Sequence, residues 1–328
     1  MYQKLFNRVV LGEVGPFTLI NYGLSLAIGI VLYLQMFLAM QARLGMEITP
    51  GYAALVAVTY SVAFALGSKL LRILYNLRQL RDNPRELLRR NGNSFYGGVG
   101  GFVAAAALTA HLHGVPFGTQ LDLTFLCLPM FQIFIRLGCA TYGCCFGHPT
   151  TGPAAVIYHD VHAPAFLRHG QTPLHPSQLY SILKNLVVLT VVTALFHKFM
   201  LKGLPVALWV MLYPALRFFI DFTRDPAKKP YYAGFRSSQW ISMGLLVSGV
   251  VLLLRLPAEF YAPARSLASS FAAAARVLPV CLLAFVVNFL AFGISFVIHD
   301  RKRAGQHASP GAAATGAMLA GGAPAEKR

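Results

Sequence analysis

Apolar residues fall along this chain in long unbroken blocks, not in alternation. Eight blocks stand out, at approximately 17–40, 51–76, 95–113, 120–142, 178–199, 203–222, 238–255 and 276–298. A helix needs roughly 20 such residues to cross a bilayer. In lipid the backbone must satisfy its own hydrogen bonds, so spans are helices or barrel strands. Barrel strands would alternate apolar and polar positions, and these blocks do not. The pattern therefore predicts an all-α polytopic transmembrane helix bundle of about 7–8 spans. The longest connection, 143–177, is rich in His, Pro and Gly. Residues 256–275 are alanine-rich and weakly amphipathic, which suits the membrane surface. No internal repeat is visible. The Ala/Gly/Pro-rich tail from about 301 is expected to be disordered. The expected organisation is seven spans within 1–255, a linker and extra transmembrane helix in 256–300, and a tail in 301–328.

Composition agrees. Of 328 residues, 56% are hydrophobic and only 12% are charged, about half the charge of a soluble domain. Net charge is +17, but the bases lie mostly between spans. Anionic lipid of the bilayer is therefore the expected partner, and no nucleic-acid motif appears. The five cysteines, Cys127, Cys139, Cys144, Cys145 and Cys281, lie in or beside apolar segments. Their spacing is neither a secreted disulfide framework nor a standard zinc pattern. The connections alternate in charge: one side of an eight-span chain carries seventeen Lys and Arg, the other six. By the positive-inside rule both termini would be cytoplasmic.

Several polar groups interrupt the apolar pattern. In "LYPALRFFIDFTRDP" (212–226), Tyr213, Arg217, Asp221 and Arg224 are spaced four, four and three, which puts them on one helix face. Charges within a span are functional candidates by default. The structural alternative is an ion pair joining two helices, with Arg224 snorkelling to the interface. In "IFIRLGCATYGCCFG" (133–147), Arg136 precedes Cys139 and the backbone-permissive Gly138, Gly143 and Gly147. A buried guanidinium suits phosphate, and a small-residue packing seam is the alternative. In "GNSFYGGVGGFVAAA" (92–106), Tyr96, Gly97 and Gly98 stand at a helix entrance. Amides there could hold an anion, or the glycines could simply let helices pack closely. In "TPLHPSQLYS" (172–181), His175, Ser177, Gln178 and Tyr180 are polar groups at the entry of a span. The chemistry common to all four stretches is binding of an anionic head group within the bilayer.

These motifs resemble the bacterial prolipoprotein diacylglyceryl transferase family over roughly residues 11–253. The matching stretches are "GPFTLINYGL", "ALGSKLLRILYNL", Phe95-Tyr96-Gly97-Gly98, Arg136-Leu137-Gly138, "HPSQLY" at 175–180, "YPALRFFIDFTRDP" and "SSQWISMGLLVSG". They occur in the family's order. The resemblance implies transfer of a diacylglyceryl group from phosphatidylglycerol to the lipobox cysteine thiol of prolipoproteins, bound through their signal peptides. Glycerol phosphate would be released, in the bacterial cell (inner) membrane, with no cofactor and no metal. It implies catalytic roles for Arg136, Arg217, Tyr96 and Asp221. Gly97, Gly98, Cys139, Gly147, His175, Gln178, Tyr180, Tyr213, Arg224 and Gln239 would contact substrate. Tyr96 stands where the family has His, Cys139 where it has Asn and Asp221 where it has Glu. The family places the N-terminus and catalytic loops in the periplasm, against the charge count, and that orientation is adopted here. Two alternatives stay open: a paralogue acting on another acceptor, and a lipid-binding membrane protein without covalent chemistry.

Overall fold

The computed structural model describes residues 10–14, 17–77, 94–161, 163–225, 231–286 and 288–289. The arginines of 78–93, Lys228, Lys229 and the tail beyond 289, which weigh heavily in the charge count, lie outside the described residues.

Seven helices are long and apolar enough to span a membrane: α1 Asn21–Arg43, α2 Pro50–Tyr75, α3 Phe95–His113, α4 Phe117–Tyr142, α6 Ser177–Phe199, α7 Leu204–Phe222 and α8 Ser237–Leu254. A short helix, α5 (Pro164–His169), lies in the long 143–177 connection. The expected spans match these helices to within a few residues, with one informative difference. Residues 17–20 form strand β2 (Phe17–Ile20), paired antiparallel with β1 (Val10–Val14), so the first helix starts at Asn21. Apolar character alone does not distinguish a short strand from a helix start.

Local signals set the helix ends. Thr49 caps α2 by accepting from the Tyr52 amide at 3.2 Å, with Pro50 in the first turn, where its missing N–H costs nothing. Gly143 ends α4 with a φ of 74°, and the Cys144 amide closes the turn on the Cys139 carbonyl at 3.1 Å.

The innermost helix is α1, packed against α4 and the C-terminal segment. Its Tyr33 and Phe37 join Tyr60, Phe102 and Phe131 in a ring cluster with centroids 5.0–6.3 Å apart. Buried polar groups satisfy one another across helices. The Gln41 amide donates to Gln120 at 2.8 Å, Gln120 donates to the Tyr52 hydroxyl at 3.0 Å, and Tyr60 bonds Thr124 at 2.8 Å. Large apolar side chains also face outward, among them Leu66, Leu183, Val247 and Leu254. In water such a surface would be a liability; against acyl chains it is the required finish. The protein is a multi-pass membrane protein.

α2 and α3 cross through glycine. A Cβ at Gly97 would stand 2.2 Å from the Gly67 carbonyl oxygen, and one at Gly101 would stand 2.0 Å from that of Ala63. Only glycine permits that approach.

The C-terminal segment differs from one straight span. Helices α9 (Leu267–Ala275) and α10 (Leu278–Val286) meet at a 56° bend. Ser270 and Ala274, expected at the membrane surface, are buried, and α9 packs on α1. Gln35 of α1 reaches the Cys281 sulfur at 3.2 Å, and Asn288 donates to Ser61 of α2 at 2.9 Å. Asp122 of α4 accepts from the Gly203 amide and the Tyr261 hydroxyl, both at 2.7 Å. One carboxylate thus ties the start of α7 to the segment after α8.

Candidate active site

The polar stripe of α7 faces inward. Tyr213, Arg217 and Asp221 are buried, and Arg224 follows two residues after the helix ends. The two oxygens of Asp221 lie 3.8 Å from Nε of Arg217 and 3.3 Å from Nε of Arg224. The i, i+4 and i, i+3 spacing brings both guanidinium groups to one carboxylate. Arg217 Nη1 donates to the Tyr213 hydroxyl at 3.1 Å, and its guanidinium carbon lies 5.4 Å from the Tyr96 ring centroid. Tyr96 therefore supports Arg217 through its ring face. Trp209 stacks on Tyr213 at 4.6 Å and Phe95 at 5.5 Å, which holds the stripe rigid.

Lys184 of α6 escaped the sequence reading. It is buried, and its ammonium sits 3.3 Å over the Tyr213 ring centroid, a close cation–π contact. No carboxylate lies within ion-pair distance of it among the described residues. Its charged neighbours are Arg217, Arg136, Arg224 and Asp221. The signal was present, since Lys184 is an ionisable residue inside an apolar block.

Arg136 of α4 joins the group: Arg136, Lys184, Arg217 and Arg224 feel one another's charge, and the last three also feel Asp221. Burial, with the guanidinium groups of Arg217 and Arg136 beside it, pulls Arg224 down to about 10. It stays protonated at neutral pH, and the crowding favours a bound anion.

The loop after α4 is laced into the same place. The Gly147 amide donates to the His175 carbonyl at 3.0 Å, the His148 amide donates to the Thr223 carbonyl at 3.1 Å, and Gly147 bridges Arg224. A Cβ at Gly147 would stand 2.4 Å from the Thr223 oxygen. The His-Pro-Ser-Gln stretch pins the loop: Ser177 donates to the Cys145 carbonyl at 2.8 Å, and Gln178 donates to the Cys144 carbonyl at 2.6 Å. His175 bonds Tyr180 across 3.2 Å, and burial with His148 nearby holds its imidazole below the usual histidine range. Gln239 accepts from the Arg236 amide at 2.9 Å and donates to the Phe218 carbonyl at 3.4 Å, holding α8 on α7. Arg236 donates to the Arg224 carbonyl at 2.7 Å.

The geometry thus sorts the expected site residues. Arg136, Arg217, Asp221, Arg224, Tyr213 and Tyr96 come together. Gln178 and Gln239 hold backbone in place, and Gly147 permits a close crossing. For Gly97 and Gly98 the packing alternative describes the geometry. Gly97 abuts Gly67, a Cβ at Gly98 would meet the Phe64 ring at 2.4 Å, and the Gly98 amide is already spent on the Ser94 carbonyl. Cys139 lies with Cys144 and Cys145, their sulfurs all within 4.8 Å of one another. Such a cluster could hold a thiophilic metal ion, although its linear spacing matches no standard zinc motif.

Known proteins resemble this chain in sequence. The prolipoprotein diacylglyceryl transferase family matches residues 9–255. The phosphatidylglycerol–prolipoprotein diacylglyceryl transferase 2 of Clostridium perfringens is 28% identical over 249 residues, 75% of this chain and 94% of that protein. The phosphatidylglycerol–prolipoprotein diacylglyceryl transferase of Bordetella bronchiseptica is 31% identical over 257 residues, 74% of this chain and 92% of that protein. That of Clostridium tetani is 27% identical over 247 residues. The bundle, the cation group and the matches agree: this chain belongs to the prolipoprotein diacylglyceryl transferase family.

Proposed function

We propose that this protein is an enzyme of the bacterial inner membrane. It moves the diacylglyceryl group of phosphatidylglycerol to the lipobox cysteine thiol of prolipoproteins, which it receives through their signal peptides. The observation that carries this reading is the gathering of Arg136, Lys184, Arg217 and Arg224 about Asp221's end of α7, with Lys184 and Arg217 buried and Arg136 and Arg224 half-buried. Such a group is costly in lipid unless an anion joins it, and a phosphodiester is the anion a bilayer supplies.

The chemistry follows. Arg136 and Arg217 hold the phosphate, with Arg224 at its edge and Lys184 beside Tyr213. The acceptor sulfur attacks the glyceryl carbon next to the phosphate. A sulfur–carbon bond forms, the carbon–oxygen bond breaks, and its electron pair leaves on the phosphate oxygen as glycerol phosphate. Fixed cations stabilise the charge that develops there. Asp221 orients Arg217 and Arg224. Tyr96 supports Arg217 and is no base at neutral pH, since an ordinary phenol titrates near 10. Residues 1–255 carry the transferase core. The segment from 256 is an added element, in keeping with the family match ending at 255 and the packing of α9 on α1.

The test is complementation. A bacterium depleted of its own diacylglyceryl transferase receives this chain, and the mobility of a reporter prolipoprotein is followed. Rescue by the wild type and loss with Arg217→Ala, both proteins present in the membrane, are expected. No rescue by a well-inserted wild type, or full activity with Arg217→Ala, would overturn the reading.

A further inference from the structure

A thiol must lose its proton to become the nucleophile, yet in the cation group the Asp221 carboxylate already faces Arg217 and Arg224 and Tyr96 is no base at neutral pH. Beside that group lie three thiols. Cys139 sits in the last turn of α4, and Cys144 and Cys145 follow the turn at Gly143. Their sulfurs lie within 4.8 Å of one another. Sulfurs around a zinc ion, at Zn–S distances of about 2.3 Å, stand roughly 3.8–4 Å apart. The cluster therefore needs only small adjustments to receive one.

The surroundings are built for this convergence. Cys145 has a φ of 58°, a left-handed conformation that a non-glycine residue adopts only when its neighbours enforce it. Here Ser177 and Gln178 hold the carbonyls of Cys145 and Cys144. Three thiolates and a divalent ion leave one net negative charge. Arg136, whose charged neighbours include all three sulfurs, offsets it.

We propose that Cys139, Cys144 and Cys145 bind a zinc ion whose fourth position takes the acceptor thiol. Three protein ligands and one open position are the pattern of catalytic zinc. A thiol that coordinates the ion is deprotonated outright, its proton passing to water. The bound thiolate then attacks the glyceryl carbon, and the carbon–oxygen electron pair leaves with glycerol phosphate. The ion would thus supply what Tyr96 does not. This inference rests on the transferase reading for its acceptor, but the metal site itself does not.

The test uses the full chain, purified without chelator under reducing conditions and loaded with zinc. Elemental analysis is expected to find roughly one zinc per chain. Cys144→Ser and Cys139→Ser should each lose most of it, and Cys281→Ser should keep it. The cobalt-substituted protein should show a sulfur-to-metal charge-transfer band. A lipobox peptide with its cysteine should change that band, and the same peptide with alanine should not. Wild-type protein that retains no zinc, or retains copper instead, overturns the proposal, and so does a cobalt spectrum blind to the cysteine peptide. The wild-type measurements decide the matter even if a variant fails to fold. Zinc-loaded protein that transfers nothing to any thiol peptide sinks the transferase reading and leaves the metal site standing. Transfer at an undiminished rate after chelation sinks the zinc reading and leaves the transferase.

Discussion

Replacing Asp221 with Asn should slow transfer without weakening the hold on lipid. The carboxylate lies 3.3 Å from Arg224 and 3.8 Å from Arg217 and is almost fully buried. At an effective dielectric near 20, each pair carries about 4–5 kcal/mol of Coulomb attraction. Asn keeps the shape and one acceptor oxygen but removes the charge that gathers the two guanidinium groups. Losing a positioning partner of this kind typically costs about 10–100-fold in rate, or about 1.4–2.8 kcal/mol of barrier. Four cations would then face the lipid phosphate with no carboxylate competing for them. Hence kcat should fall while KM for phosphatidylglycerol stays level or drops. The assay follows acyl-labelled phosphatidylglycerol to a lipobox peptide in nanodiscs, with initial rates taken against lipid fraction. A tenfold rise in KM with kcat unchanged would refute the positioning role. Loss of folded protein with no separable rate defect would make the pair purely structural.

Other substitutions probe other parts of the assembly. Lys184→Met keeps the chain length but removes the cation from the Tyr213 ring. A raised KM for phosphatidylglycerol, on the order of tenfold, is expected in the same assay, and an unchanged KM would remove Lys184 from the site. Gly101→Leu would drive a side chain into the Ala63 carbonyl, whereas a Cβ at Gly100 meets open space. The first should lower the melting temperature in detergent by an amount equivalent to about 1–3 kcal/mol or more, while Gly100→Leu should not; equal effects would argue against the close α2–α3 crossing. Asp122→Ala orphans the Gly203 amide and the Tyr261 hydroxyl, at about 1–3 kcal/mol for each buried group. Faster proteolysis after α8 is expected, and an unchanged cleavage rate would show that this carboxylate does not anchor the C-terminal segment.

What the sequence determined by itself is local. Continuous apolar blocks placed seven spanning helices to within a few residues, because spanning lipid forces the backbone to bond within each segment. The spacing of Tyr213, Arg217, Asp221 and Arg224 put one polar face on α7, because helical periodicity is a property of neighbours in the chain. What tertiary structure decided is which faces meet. Gly97 and Gly98 read equally well as an anion cradle or a packing surface until Gly67 and Phe64 of α2 came against them. Gln178 and Gln239 matched a binding motif, yet they spend their amides on the backbone of distant segments. Lys184 lies 29 positions before Tyr213, and only the packing of α6 against α7 sets its ammonium over that ring. The spacing of Cys139, Cys144 and Cys145 matched no metal motif, because their convergence depends on a left-handed turn pinned from another helix. Charge and periodicity can be read along the chain, whereas an approach between residues far apart in it depends on the packing of the whole bundle.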